Sequence, residues 1–230
     1  MMTSGSSARG ARADDWPSAV AALRSSLPFA ACYVYAPQGA GTLSAAARLL
    51  CRRVKASDPR WLPRYVRQVM ELCATGRPFA RLFAPDAWLV PVPGCVPRCA
   101  MSTAACQLAM ALRAFGLGSE VWPGLLRRTA VPRSATALHG ERPSVRQHYE
   151  SFAVGVARGR LPERIVLIDD VISRGRTLLG AAARLRSEFP HADIRAFALV
   201  RTLGFLSHLD RLLAPCVGVV YWRGDARREP

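Results

Sequence analysis

Two neighbouring carboxylates, Asp169 and Asp170, are the residues whose type and spacing point most directly to chemistry. They follow four β-favouring residues, 165–168, and precede a turn that leads into a helix rich in alanine and leucine. The turn combines two hydroxyl side chains with a glycine: Ser173, Gly175 and Thr177. The first N–H groups of a helix bind phosphate, and carboxylates accept hydrogen bonds from sugar hydroxyls or hold Mg²⁺. Residues 165–178 therefore predict a site for a phosphorylated sugar.

A helix cap without a ligand is the alternative interpretation of this segment. An Asx-type cap accounts for one aspartate and for Ser173 at a helix start. It does not account for a second adjacent aspartate, because successive residues of a strand face opposite sides of the sheet. It also leaves Gly175, between two hydroxyl residues, without a purpose, so we favour the ligand site.

The segment 165–178 resembles the phosphoribosyl pyrophosphate (PRPP) signature of the type I phosphoribosyltransferases. That signature is an apolar strand, Asp-Asp, two apolar residues and then Thr-Thr/Ser-Gly-x-Thr. The resemblance implies that Asp169 and Asp170 are catalytic residues that hold the ribose hydroxyls. It implies a 5-phosphate cradle formed by Ser173, Arg174, Gly175, Arg176 and Thr177. Mg²⁺ is the implied cofactor, carried in with PRPP and contacted at most by the aspartate pair, with no dedicated metal site.

A second segment, residues 89–98, places a strand ending in Pro-Val-Pro before a glycine and an arginine. It is similar to the first core strand and pyrophosphate loop of the ComF-like competence proteins, a subgroup of the same family. The resemblance implies that pyrophosphate lies against Pro93, Gly94 and Cys95 and is contacted by Arg98. Plain strand termination is the alternative, because proline is common at strand ends.

The region 126–154 carries a basic loop ahead of the aspartate strand, in an order similar to that of the same subgroup. Phosphoribosyl transfer passes through an oxocarbenium-like centre while pyrophosphate leaves, and positioned cations stabilise the leaving charge. Closure of such a loop also excludes water. Arg128 and Arg142 are therefore the catalytic candidates, with Arg133 as a third. A solvated arginine-rich loop without such a role is the alternative.

The elements that must position these residues follow from hydrophobic periodicity and turn signals. Strands are predicted at 32–35, 87–92, 121–126, 151–156, 164–168, 194–200 and 217–221. Helices are predicted at 17–25, 43–54, 62–74, 102–115 and 176–189, while 127–150 lacks a regular pattern. The alternation predicts an α/β fold with a mostly parallel sheet flanked by helices. The resemblance implies the type I phosphoribosyltransferase fold, with a core at about 86–205 and a small hood from about 16–85 and the C-terminal end.

Length and composition favour one domain, residues 16–230, behind a disordered tail at 1–15, since half of the 230 residues are apolar. No apolar run approaches the roughly 20 residues that a membrane helix needs, so no membrane is expected. Seven cysteines, an odd and scattered set, argue for a reducing cytoplasm rather than a disulfide framework. Cysteine pairs of the zinc ribbon found in many ComF-like proteins are also missing.

The formal charge of +16 leaves a nucleic-acid partner open without favouring it. Lys55 is the only lysine, so the charge comes from dispersed arginines, a pattern typical of a GC-rich genome.

Together these features predict an enzyme that moves ribose-5-phosphate between PRPP and a nitrogenous acceptor, such as a nucleobase, with release or use of pyrophosphate. The expected partners are PRPP or a nucleotide and that small acceptor, with a homodimer left open. The alternative is a regulatory protein that senses PRPP or nucleotides, or associates with DNA, without catalysis.

Overall fold

A computed structural model describes residues 9–10, 16–76, 79–94, 100–128, 142–155 and 161–230. The strands are β1 (Arg9–Gly10), β2 (Leu27–Tyr35), β3 (Trp88–Pro91), β4 (Glu120–Val121), β5 (Leu126–Arg128), β6 (Phe152–Val154), β7 (Arg164–Ile172), β8 (Asp193–Thr202), β9 (Leu213–Trp222) and β10 (Ala226–Glu229). The helices are α1 (Trp16–Leu23), α2 (Gly41–Lys55), α3 (Leu62–Ala74), α4 (Phe79–Leu82), α5 (Ala104–Ala114), α6 (Val145–Glu150) and α7 (Arg176–Glu188).

Seven strands form one mixed sheet in the order β10-β9-β2-β8-β7-β3-β4. The five strands from β2 to β4 in this order pair in parallel, whereas β9 and β10 are antiparallel additions at one edge. The predicted α/β fold with a mostly parallel sheet is therefore confirmed. In such a sheet the carboxyl ends of neighbouring strands meet at a common edge, where ligands bind in open α/β folds.

Helices cover both faces of the sheet, as the apolar runs of its central strands require. All four side chains at 165–168 on β7 are fully buried, half of them under each face. Helices α1, α6 and α7 pack on one face, and α2 to α5 pack on the other. None of the helices in the described part of the chain is long and apolar enough to cross a membrane.

The segments expected to form a hood contribute strands to the main sheet. Strand β2 lies between β8 and β9, and β9 and β10 follow it at the sheet edge. The first 15 residues, expected to be disordered, lie outside the described part except for β1, which pairs with β6.

The segment 121–128 differs from its prediction. The single strand predicted at 121–126 is wrong, because the turn at Pro123 and Gly124 divides it into β4 and β5. These short strands belong to different sheets, since β5 pairs with β6 and β1 in a small antiparallel sheet.

Within 127–150, predicted to be irregular, α6 begins with a capping box between Ser144 and Gln147. Such a box satisfies two backbone donors at a helix start and fixes where the helix begins. Residues 129–141, between β5 and this helix, lie outside the described part.

Candidate functional site

The aspartate pair lies at the carboxyl edge of the main sheet, on the last part of β7. The sequence predicted a strand end at Ile168, but β7 continues through both aspartates to Ile172. Its neighbour β3 pairs with it only up to Pro91, opposite Ile168, whereas β8 stays paired with it through Ile172. Asp169 and Asp170 therefore lie just beyond the end of β3.

The alternation of β7 changes phase at the aspartates. Before them, odd-numbered residues face the core under α7, and after them the even-numbered Ile172 does so. The opposite core receives even-numbered residues before the pair and Val171 after it. The apolar side chains of β7 therefore do not keep one regular alternation through the aspartates, although the register with β8 is unshifted. Each carboxylate also turns back on its own backbone: Oδ1 of Asp169 and Oδ1 of Asp170 each accept the next residue's N–H at 2.9 Å.

The electrostatics of the pair favour the protonated form of Asp169 when no ligand is bound. Burial and the neighbouring charge of Asp170 raise the pKa of Asp169 well above its ordinary value, while Arg128 opposes the shift. Two carboxylates this close resist simultaneous ionisation until a cation or hydroxyl donors compensate them. Asp169 is therefore poised to give up a proton on binding such a ligand.

The turn after β7 holds the amino-terminal end of α7 open. Gly175 precedes the helix with φ at +85°, and among the described residues no side chain caps the first N–H groups. A Cβ at this position would lie 2.7 Å from Cγ1 of Val220 on β9, so only glycine fits the turn. Ser173 and Arg174 are exposed beside it, and Thr177 is half-buried. Uncapped N–H groups at a helix start form an anion site, in the place where the sequence predicted the phosphate.

Arg176 pairs with the C-terminal hairpin. Its Nε donates to Oδ1 of Asp225 at 2.7 Å, and its Nη2 donates to the other oxygen of the same carboxylate. Nη1 of Arg174 lies 3.9 Å from Oδ2 of Asp225. Partial burial alone would raise the pKa of Asp225. The hydrogen bonds from Arg176 and from the N–H of Ala226 outweigh this effect and hold the pKa of Asp225 below its ordinary value. Phosphate contacts of Arg174 and Arg176 stay predictions, but the Arg176 guanidinium already has a partner.

The same hairpin also reaches the strand ends beside the site. Arg228 on β10 donates to the carbonyl oxygens of Ile172 at 3.0 Å and of Thr202 at 2.5 Å, the last residues of β7 and β8. Asp225 and Arg228 therefore hold the segment between β7 and α7 at both of its ends.

A buried chain of polar groups, not foreseen from the sequence, leads from β5 to the turn. Nη1 of Arg128 lies 2.9 Å from Nδ1 of His148, and Nε2 of His148 lies 3.4 Å from the Thr177 hydroxyl. Because arginine only donates, Nδ1 must accept, and the ring carries its proton on Nε2. Burial, with the charges of Arg128 and Arg176, lowers the pKa of His148 to about 3. A neutral His148 thus donates to Thr177 and leaves the threonine hydrogen free to donate to a ligand.

Arg128 itself is largely buried, with its guanidinium carbon 4.0 Å from the ring centroid of Phe152. The interpretation as a solvated loop arginine therefore does not apply to it. The other catalytic candidate in this region, Arg142, is exposed, and its carbonyl oxygen accepts from Nη1 of Arg176 at 3.4 Å. Arg133 lies outside the described residues.

A cavity of about 410 Å³ opens beside the end of β3. Its walls include Pro93 and Gly94 of the predicted pyrophosphate segment, together with Thr103 and Arg128. The predicted pyrophosphate contacts Cys95 and Arg98 lie outside the described residues. The cavity thus places part of that segment near the cation that also influences Asp169.

Magnesium suits the donor set of the pair. Among the described residues, no three or more His, Cys, Asp or Glu side chains gather into a metal cluster. Mg²⁺ typically binds one or two carboxylates together with substrate phosphates and water, so Asp169 and Asp170 alone are sufficient partners. Its charge would also offset the repulsion that raises the pKa of Asp169.

Similarity to other proteins adds no assignment to this geometry. The chain matches no protein-family model and no curated protein. The resemblance to type I phosphoribosyltransferases stays a prediction that rests on its motifs.

Proposed function

We propose that the protein has the type I phosphoribosyltransferase fold and transfers ribose-5-phosphate from PRPP to a nitrogenous acceptor. One observation carries the proposal: the uncapped start of α7, with its obligatory Gly175, lies five residues beyond an ionisable aspartate pair on β7. An anion site beside two carboxylates suits a ligand that has both a phosphate and hydroxyl groups. A structural helix cap would need neither the second carboxylate nor the bare helix end.

Each group has a role in that reaction. The N–H groups at the start of α7 and the Thr177 hydroxyl bind the 5-phosphate, and Asp169 and Asp170 accept hydrogen bonds from the ribose hydroxyls. The bond from ribose C1 to the pyrophosphate oxygen breaks, a bond from C1 to the acceptor nitrogen forms, and the acceptor nitrogen loses one proton to water. Mg²⁺, held by the aspartates and the donor phosphates, would supply charge stabilisation for the leaving pyrophosphate.

The cavity beside β3 supports a pyrophosphate subsite. Pro93, Gly94 and Arg128 line it, and Arg128 is the cation whose charge reaches Asp169. A buried cation stabilises developing negative charge more than a solvated one does. Arg128 is thereby the residue best placed to act on the leaving group.

Calorimetric titration with PRPP and Mg²⁺ tests this proposal. The wild type should bind, and the double variant Asp169→Asn, Asp170→Asn should lose binding by at least about 100-fold, because charge-assisted contacts to ligand are removed. Asp210→Asn, which neutralises an exposed carboxylate elsewhere, is the matched control and should bind like the wild type.

Equal binding by the double variant and the wild type would refute the site, and no binding by the wild type would refute the function. Pyrophosphate release with a panel of nitrogenous bases then separates catalysis from sensing. Binding without release for any base would favour the nucleotide-sensing alternative.

A further inference from the structure

A second cavity, of about 220 Å³, opens at the same sheet edge but on the opposite face from α7. It is lined by Tyr35, Arg48, Cys51, Arg52, Lys55 and Val171. We call it the α2 cavity, because four of these six residues lie on that helix. None of the roles in the proposed function uses it.

Positive charge is concentrated in the α2 cavity. Arg48, Arg52 and Lys55 follow the i, i+4, i+7 spacing that places side chains on one helix face, and none of the six lining residues is acidic. Like charges four residues apart destabilise an isolated helix. The helix dipole favours cations in the last turn, and this accounts for Arg52 and Lys55. It does not explain why Arg48, Arg52 and Lys55 all border one cavity. An anion in the cavity would supply that reason.

Arg48 is already positioned for such a contact. Its Nη1 donates to the carbonyl oxygen of Gly39 at 2.8 Å, and its side chain is only half-exposed. One hydrogen bond uses one of five guanidinium donors, so the group is held in place while it keeps donors for a ligand. A cation fixed in this way loses less conformational entropy on binding than a free one.

The α2 cavity adjoins the aspartate pair. Val171, one of its walls, is the residue after Asp170 on β7. The charge of Asp170 also reaches Cys51, where burial, the larger cause, raises the pKa of the thiol to about 11. Tyr35 closes the cavity from the last position of β2, paired with the last residue of β8. The carboxylates therefore lie between the start of α7 and this basic cavity.

We propose that the α2 cavity binds an anionic group of the acceptor, so that the acceptor is a nitrogenous compound bearing a carboxylate or a phosphate. This inference rests on the proposed function, which places the sugar carbon that reacts beside Asp169 and Asp170. An uncharged nucleobase would bring no negative charge to a cavity whose six lining residues include three cations and no acid. The ring of Tyr35 offers a flat apolar wall for the body of such an acceptor.

The single lysine of the chain allows a direct test. Acetylation with an amine-reactive ester modifies only Lys55 and the chain's terminal amine, and peptide mass spectrometry separates the two. Labelling is followed with benzoate, phenyl phosphate or the uncharged benzamide present. A probe at twice its dissociation constant slows labelling about threefold. We expect this protection from at least one anion and none from benzamide at the same concentration.

The anion that protects at the lower concentration identifies the group, carboxylate or phosphate. Protection by benzamide equal to that by both anions, or protection by none of the probes, would overturn the inference. Arg52→Gln should weaken the protection about threefold, the size of one exposed charge contact. Arg67→Gln, which removes an exposed arginine from α3, is the matched control and should leave protection unchanged.

The same assay separates the inference from the proposed function. The double variant Asp169→Asn, Asp170→Asn should lose PRPP binding yet keep Lys55 protection by the anion. Wild-type protein that binds PRPP but shows no protection contradicts the α2 cavity alone. Protected Lys55 in a wild type that does not bind PRPP contradicts both the transferase and the assignment of the cavity to an acceptor.

Discussion

The amino-terminal ends of α2 and α7 have similar backbones and different surroundings. Gly41 begins α2 with φ at +84°, and Gly175 precedes α7 with φ at +85°. Apart from its chain neighbours and its own helix backbone, no atom of the described residues lies within 4 Å of a Cβ placed on Gly41, whereas one on Gly175 would lie 2.7 Å from Val220. One helix start is open, and the other is closely packed.

Packing along α7 extends the contrast. A Cβ on Gly180 would lie 2.8 Å from the Cβ of His148, so α6 approaches α7 at this glycine. That approach brings His148 to Thr177. The side proposed to bind the sugar phosphate is thus fixed before a ligand arrives, whereas Arg52 and Lys55 of the α2 cavity are exposed. A preformed site suits a constant ligand part, and exposed side chains suit a variable one.

Alanine at the two glycines should show the largest difference. Gly41→Ala should cost about 1–2 kcal/mol of unfolding free energy, because a non-glycine residue is strained at positive φ. Gly175→Ala adds the clash with Val220 and should cost about 2–4 kcal/mol in total. Urea denaturation measures both, and calorimetry should show loss of PRPP binding only for Gly175→Ala. Equal costs would mean that Val220 yields without penalty and that the α7 start is not rigid.

Substitutions of His148 test whether the packed side also positions Thr177. His148→Asn keeps an acceptor near Arg128 but does not reach Thr177, and PRPP affinity should fall about 5–10-fold, the value of one ordinary hydrogen bond of about 1 kcal/mol. His148→Gln, long enough to donate to Thr177, should recover most of the loss. Calorimetry compares the two, and equal affinities would show that Thr177 needs no positioning.

The same histidine should set part of the acid sensitivity. The pKa of His148 is about 3 in the folded protein and 6.5 ordinarily. Between these two pH values the unfolded chain therefore binds a proton at His148 that the folded protein does not bind. Its contribution to stability is complete above pH 6.5 and is lost as the pH falls toward 3. The unfolding free energy of His148→Asn should therefore decrease less steeply over this range than that of the wild type.

The smallest effect is expected at Asp169. Because its pKa is raised in the fold, its stabilising contribution is present below its ordinary value of 3.8 and is lost as the pH rises through the folded value. Asp169→Asn should thus raise the unfolding free energy at pH 7 by about 1 kcal/mol and leave it unchanged near pH 3. Thermal denaturation without ligand measures this, and a destabilised variant at pH 7 would contradict the electrostatics of the pair.

The sequence was sufficient for β7, the turn and α7, because their signals lie within 14 consecutive residues. An apolar run predicts the buried strand, and Gly175 before a helical pattern predicts a tight turn in which no Cβ is in the way. The strand end was predicted four residues too early, since polar aspartates inside a strand look like its termination. The break at Pro123 and Gly124 was readable from turn chemistry and was missed.

Contacts between segments far apart in the chain could not be predicted from the sequence. Asp225 pairs with Arg176 across 49 residues, and nothing near either residue indicates its partner. The capping box at Ser144 was readable as a helix start, but the contact of His148 with Thr177 depends on how α6 packs at Gly180. The α2 cavity needs β2 and β7 near each other, which only the strand order provides.

The hydrogen bonds of Asp225 and Arg228 to the turn between β7 and α7 have a consequence for biosynthesis. Both residues are translated about 50 positions after the turn that they hold. A chain emerging from the ribosome therefore completes β7 and α7 well before the β9–β10 hairpin can lock them. A nascent chain stalled before Asp225 would carry the whole motif and still lack its final geometry. The protein thus gains its proposed ligand site only once β9 and β10 have been made, later than the parallel strands that support it.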